Sequence, residues 1–379
     1  MRNPPLSLYV HIPWCVQKCP YCDFNSHGLK SALPEKEYVS HLLDDLATDA
    51  QRIGERCVET IFIGGGTPSL FSEEAMHALL CGIRERVNLA ENAEVTMEAN
   101  PGTVEAGRFA GFHRAGVNRL SVGVQSFQPD HLKLLGRIHD DAQATRAIQQ
   151  AHDAGLPTFN LDLMHGLPQQ SVDNAMSDLN QGIALNPYHL SWYQLTIEPN
   201  TPFYSKPPEL PDDDILWEIQ QQGHNTLKAA GFEQYEISAY SKPGHQCQHN
   251  LNYWRFGDYL GIGCGAHGKI TDIEAGTISR TVKVKHPRGY MELSRPYLDQ
   301  ETKVQPEDLP FEFFMNRFRL VEACPIEDYE ALTGEPLRDS ELKALEEAEQ
   351  KGLLDISATH WQVTPKGRRY LNSLLTCFV

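Results

Sequence analysis

Six short apolar, β-branched runs alternate with helical stretches through the first half of the 379-residue chain. The runs fall at 8–12, 60–63, 94–97, 120–124, 159–164 and 190–197, and helical periodicity fills 35–52, 72–87, 104–115, 140–154 and 172–185. Starts and stops are marked. Ser72 precedes Glu73 and Glu74, Asp140 and Asp141 precede an apolar-periodic run, and Gly116 and Gly155 stand where helices should end. A helix that carries the chain back across a sheet leaves successive strands parallel, so the alternation predicts a parallel α/β architecture. A barrel and a doubly wound sheet both fit this pattern.

The strand ends say more than the strands. They run into "GGGTP", "EANPG", "GVQSF" and "DLMHGLP". Ligands of parallel barrels and sheets gather at the carboxyl ends of the strands. Residues 64–68, Glu98, Gln125 and Asp162 are therefore expected to converge on one site, joined by the loop that follows the first strand.

Beyond residue 199 the alternation stops. A proline-rich acidic stretch and a helix at 215–230 lead into a segment rich in glycine and aromatics. From residue 307 the chain reads as short helices, then a strand and a last helix, in the manner of a small winged-helix module. With a net charge of −17, and acids outnumbering bases in that module, nucleic-acid binding is not expected. No apolar run approaches the roughly 18–20 residues of a membrane span, and the start lacks a signal peptide's shape. The expected location is the cytoplasm. There the nine cysteines should stay reduced, with Cys57, Cys81, Cys324 and Cys377 as buried or inert thiols.

The loop after the first strand, "HIPWCVQKCPYCDFN", is different. It carries Cys15, Cys19 and Cys22 at C-x3-C-x2-C spacing. Structural zinc and common iron–sulfur clusters normally take four protein ligands; His11 and His27 are candidates for the fourth, but neither forms a suitable pair. Three ligands leave an open coordination position, which a reactive centre needs.

C-x3-C-x2-C with an aromatic, Tyr21, before the last cysteine resembles the signature of the radical S-adenosylmethionine (SAM) superfamily. "LYVHIPWC" is similar to the opening of its oxygen-independent coproporphyrinogen III oxidase subgroup. The resemblance implies a partial (β/α)6 TIM-like barrel at 1–235, a connecting segment at 236–305, and a small, mainly helical, winged-helix-like C-terminal domain at 306–379. It implies a 4Fe-4S cluster on Cys15, Cys19 and Cys22. It implies a SAM site formed by Tyr9, Gly65, Gly66, Thr67, Glu98, Gln125, Arg137 and Asp162.

Two departures divide the subgroup. The oxidase carries a further cysteine where this chain has Phe24, and it has an additional N-terminal segment before its counterpart of Tyr9. Both features match the heme-chaperone branch instead, as does "HNLNYW" at 249–254. Membership of that branch implies heme as cargo, with His249, Asn250 and Tyr253 as candidate heme contacts and Cys247 and Cys264 nearby. It also implies respiratory apoproteins as heme acceptors, a cluster-promoted homodimer, and peripheral contact with the membrane. SAM cleavage stays open. The rival activity is oxidative decarboxylation of coproporphyrinogen III, and a third reading is a structural zinc protein.

Overall fold

A computed structural model describes residues 1–103, 108–292 and 294–378. Its main sheet begins with the six expected strands: β1 (Leu6–Ile12), β2 (Cys57–Gly65), β3 (Asn88–Ala99), β4 (Arg119–Gln125), β5 (Thr158–His165) and β6 (His189–Gln194). They pair side by side in chain order, all parallel. Six more strands extend the same sheet: β7 (Glu233–Glu236), β8 (Ala239–Ser241), β9 (Asp258–Ile262), β10 (His267–Asp272), β11 (Thr277–Lys283) and β12 (Leu298–Lys303). The spatial order is β12-β11-β10-β9-β1-β2-β3-β4-β5-β6-β8-β7. With β12 and β7 at free edges, the sheet is an open barrel.

Alternation within each strand sorts the two faces. Leu8, Val10 and Ile12, Ile61 and Ile63, Leu120, Val122 and Val124, and Leu161 and Leu163 point outward into one continuous core under the crossover helices. Each such side chain contributes about 1.5–3 kcal/mol on burial. The intervening residues, among them Ser7, Thr60, Thr96, Ser121 and Asn160, face inward and are polar yet buried.

The helices begin where their capping signals stand. Ser72 caps Glu73–Arg84 by accepting from the Ala75 N–H at 3.1 Å, and Asp140 forms a capping box with Gln143 ahead of Asp141–Asp153. Gly116 and Gly155 take positive φ just past helix ends, a conformation that glycine adopts without a Cβ penalty. Of the helix expected at 104–115, Arg108–Ala115 is helical, and 104–107 lies outside the described residues.

The stretch 236–305, read above as a connecting segment, carries most of the six added strands. β9 lies parallel against the free side of β1, pairing Leu6 with Asp258 and Val10 with Ile262. β10, β11 and β12 continue as an antiparallel meander. The junction is locked by Asp258, whose carboxylate accepts from Lys269 Nζ at 3.0 Å, Arg56 Nη1 at 2.8 Å and the Thr271 N–H at 2.9 Å.

The C-terminal region has its own aromatic core of Phe313, Phe314, Phe318, Tyr329 and Trp361. Helices Leu309–Arg317, Glu327–Thr333 and Asp339–Gln350 pack with a three-stranded antiparallel sheet, the winged-helix pattern expected. Of the four cysteines expected to be buried or inert, Cys324 is buried and Cys57 is exposed.

Candidate functional site

The three-cysteine loop springs from the carboxyl end of β1. A short parallel bridge between Trp14–Cys15 and His27–Gly28 closes it. All three thiols are free and half-buried. The Cys22 N–H donates to the Cys19 carbonyl at 3.2 Å, a tight turn that sets these two residues close together. Burial pushes the Cys15 and Cys22 thiols up, so both are protonated without metal and would release protons on binding one. Arg137 reaches in from the β4 side, with Nη1 3.5 Å from Cys19 Sγ and Nη2 donating to the Gly123 carbonyl at 2.7 Å. Its Nε is buried with no partner among the described residues.

Among the described residues, no group of histidine, cysteine or carboxylate side chains is gathered as ligands of a single metal ion. A polynuclear cluster spans the distance between its ligands itself. Three free thiols on one loop are soft donors of the kind that hold an iron–sulfur cluster.

The strand ends converge beside this loop. Gly66 and Thr67 donate their N–H groups to the Ile12 and Trp14 carbonyls, both at 2.7 Å, stitching the glycine run to the root of the cysteine loop. A Cβ at Gly66 would lie 2.5 Å from the Trp14 carbonyl oxygen, so the close approach requires glycine. Gly65, at φ +109°, donates to Glu98 Oε2 at 3.0 Å. Burial drives the Glu98 carboxyl up to about 7; that N–H opposes the shift, and the charge of Asp162 adds to it.

Asp162 accepts from Ser121 Oγ at 2.9 Å and Asn160 Nδ2 at 2.7 Å. Gln125 sits at φ +70° and accepts from the Tyr193 hydroxyl at 2.8 Å. Tyr9 stacks on Phe62 and hydrogen-bonds His11 Nδ1 at 2.9 Å. The eight residues expected at the SAM site thus all belong to the barrel mouth and its inner face.

Tyr9, Gly65 and Glu98 open into a cavity of about 850 Å³. Phe24 and His27 of the cysteine loop form one wall. Tyr253, Tyr259, His267 and Lys285 line the cavity as well, and the Lys285 carbonyl accepts from Asn25 Nδ2 of the cysteine loop at 2.8 Å.

"HNLNYW" lies within a short helix, Gln248–Trp254, seated against β1 and β2. His249 is buried beneath the cavity. Its Nδ1 bonds Thr60 Oγ1 and its Nε2 bonds the Tyr253 hydroxyl, both at 2.8 Å, while its N–H donates to Glu94 at 3.0 Å. Burial pulls the ring down to about 3, so it is a neutral imidazole with both nitrogens engaged. Asn252 extends the brace by donating to Ser7 Oγ at 2.7 Å. Asn250 is half-buried and does not line the cavity, whereas Tyr253 and Trp254 do. Cys247 and Cys264 are buried, and burial pushes both thiols up to about 12.

Several participants were not singled out from sequence. His11, weighed from sequence only as a possible fourth metal ligand, shares the inward face of Tyr9 two residues before it, as strand alternation dictates. Tyr193, Tyr259, His267 and Lys285 lie on strands or loops whose partners are distant in the chain.

Residues 9–179 match the Radical SAM superfamily, and residues 304–370 match the HemN C-terminal domain. The whole chain is 61% identical to the heme chaperone HemW of Escherichia coli (strain K12) and 56% identical to that of Haemophilus influenzae, covering 99% of each. The Bacillus subtilis heme chaperone HemW is 33% identical over 98% of this chain and 99% of its own length. Among solved structures, the E. coli coproporphyrinogen III oxidase HemN, a radical SAM enzyme, superimposes with a TM-score of 0.84, covering 99% of this chain and 90% of the oxidase. At 24% identity that likeness is one of fold, and the fold is the expected one.

Proposed function

The chain belongs to the HemW family within the radical SAM superfamily, and on that premise we propose that it is a heme chaperone. In this reading it binds a 4Fe-4S cluster, SAM and heme, and passes heme to apoproteins such as respiratory cytochromes. One observation carries the reading. A single cavity joins the cysteine loop and the strand-end residues Tyr9, Gly65 and Glu98 to an aromatic wall of Tyr253, Trp254 and Tyr259. Such a cavity, with aromatic faces set among charged and amide groups, suits a macrocycle bearing propionates beside a nucleoside ligand.

Cys15, Cys19 and Cys22 would hold the cluster. The cluster, when bound, supplies an iron position without a protein ligand and the capacity for one-electron chemistry. The protein's own part is positional. Arg137, fixed by the Gly123 carbonyl, sets a permanent cation beside Cys19 and suits a ligand carboxylate. Glu98, held by the Gly65 N–H, can accept from an ammonium group once it is ionised. Asp162, fixed by Ser121 and Asn160, can accept from ribose hydroxyls. Gln125 and Tyr9 close the sides. Cytoplasmic residence, a cluster-promoted homodimer and heme delivery at the membrane surface complete the proposal. No helix among the described residues is long and apolar enough to cross a membrane.

Phe24 favours the chaperone over the oxidase. It occupies the position where the resemblance places an extra cysteine in the oxidase, and its exposed ring lines the cavity. The test reconstitutes the cluster anaerobically and splits the sample. One half receives hemin, then an apo-cytochrome. The other receives SAM, reductant and coproporphyrinogen III. Heme uptake and transfer without protoporphyrinogen IX formation is expected. Sustained decarboxylation would overturn the assignment.

A further inference from the structure

His249 cannot serve a metal as it stands, because both of its ring nitrogens are spent within the protein. The cavity above it holds other histidines. His11 is likewise engaged at both nitrogens, with Tyr9 at 2.9 Å and the Asn25 carbonyl at 2.8 Å. His27 packs edge-on against His286, and its Nε2 is sealed away from solvent. His267 differs. It lines the cavity, its side chain is exposed, and among the described residues its ring makes no hydrogen bond.

Sheet register explains its position. His267 and Lys269 occupy one face of β10, and Lys269 stands opposite Tyr259 of β9 and Arg280 of β11. That face therefore presents an imidazole, a phenol and two cations toward the cysteine loop. The two cations are already committed. Lys269 is buried and paired with Asp258, and Arg280 is paired with Glu312 and donates to the Tyr259 hydroxyl. Lys285, just past the end of β11, is exposed to the same cavity and makes no ion pair among the described residues.

A free imidazole with an uncommitted ammonium group beside it, facing aromatic walls, matches the chemistry of heme. The iron takes a neutral imidazole, the propionates take a cation, and the ring takes flat apolar faces.

We propose that His267 is the axial ligand offered to heme iron in this cavity and that Lys285 receives a propionate. This inference rests on the heme-chaperone reading. It assigns His249 to the floor beneath the cargo, as a positioning residue.

The test is an anaerobic hemin titration of the cluster-loaded full chain, followed by Soret position, EPR spin state and affinity. The wild type is expected to show an imidazole-ligated spectrum. His267→Ala should lose that spectrum and bind about tenfold or more weakly, with added imidazole restoring it. His267→Cys should shift the spectrum to a thiolate type. Lys285→Gln should weaken hemin binding while leaving hemin dimethyl ester binding unchanged.

If His267→Ala matches the wild-type spectrum, or His267→Cys shows no ligand change, the assignment is overturned while heme binding itself stands. If Lys285→Gln weakens hemin and its dimethyl ester alike, or neither, the propionate contact is refuted. If the wild type takes up no hemin, the chaperone reading falls, and this inference with it.

Discussion

Glu98 provides a pH signature for SAM binding. Burial holds its carboxyl at about 7, so near neutrality the group is balanced between neutral acid and carboxylate. A cationic ligand needs the carboxylate. Below the pKa the protein must first release a proton, and each pH unit then costs about 1.4 kcal/mol, a factor of ten in affinity. From pH 7.5 down to pH 6 the ionised fraction falls from roughly three-quarters to a tenth, so affinity should drop about eightfold. The sign is fixed: binding strengthens as pH rises toward 7 and weakens again once the ligand's ammonium group loses its proton. A free α-amino group is half deprotonated at about pH 7.7, so the ligand's own titration offsets part of that change and leaves a net drop of about fivefold. Equilibrium dialysis of labelled SAM against anaerobically reconstituted protein would measure the profile. Glu98→Gln should bind more weakly at pH 7.5 and lose the slope. A wild-type profile that is flat between pH 6 and 7.5, or a Gln variant that keeps the slope, would refute the role of this carboxylate.

Two further variants separate chemistry from scaffold. Cys19→Ser should abolish the brown cluster absorbance together with bound iron and sulfide, whereas Cys57→Ser, an exposed thiol outside the loop, should leave both intact; unchanged iron in Cys19→Ser would sink the ligand assignment. Asp258→Ala should cost about 3–5 kcal/mol in urea unfolding, because it strands the buried Lys269 without its counter-charge. Adding Lys269→Met should recover much of that loss, and a single-variant cost below about 1 kcal/mol would show that the pair is not what locks β9 to β10.

The legibility of this fold varied with the range of the interactions involved. β1 to β6 and their helices could be read because the signals are local: alternating β-branched runs, capping residues such as Ser72 and Asp140, and glycines at helix ends. The polar strand ends were legible for the same reason, since parallel connectivity alone sends them to one mouth. β9 to β12 were not read as strands. "DYLGIGCGAHGKI" is broken by glycines, and the partner of β9 is β1, at the other end of the chain. The regular alternation of "TISRTVK" in β11 was the one local cue. His249 illustrates the limit most clearly. Its residue type suits metal ligation, but Thr60 and Tyr253 occupy its two ring nitrogens, and Thr60 is remote in sequence.

The placement of β1 bears on the order of assembly. It precedes every other strand of the sheet in the chain, yet one of its flanks waits for β9, about 250 residues later, and such long-range closure is slow. During translation its other flank can zip to β2 as soon as that emerges, which leaves the cysteine loop hanging from a half-built wall. The arrival of β9, with β10 and His267 behind it, then completes the wall beside that loop.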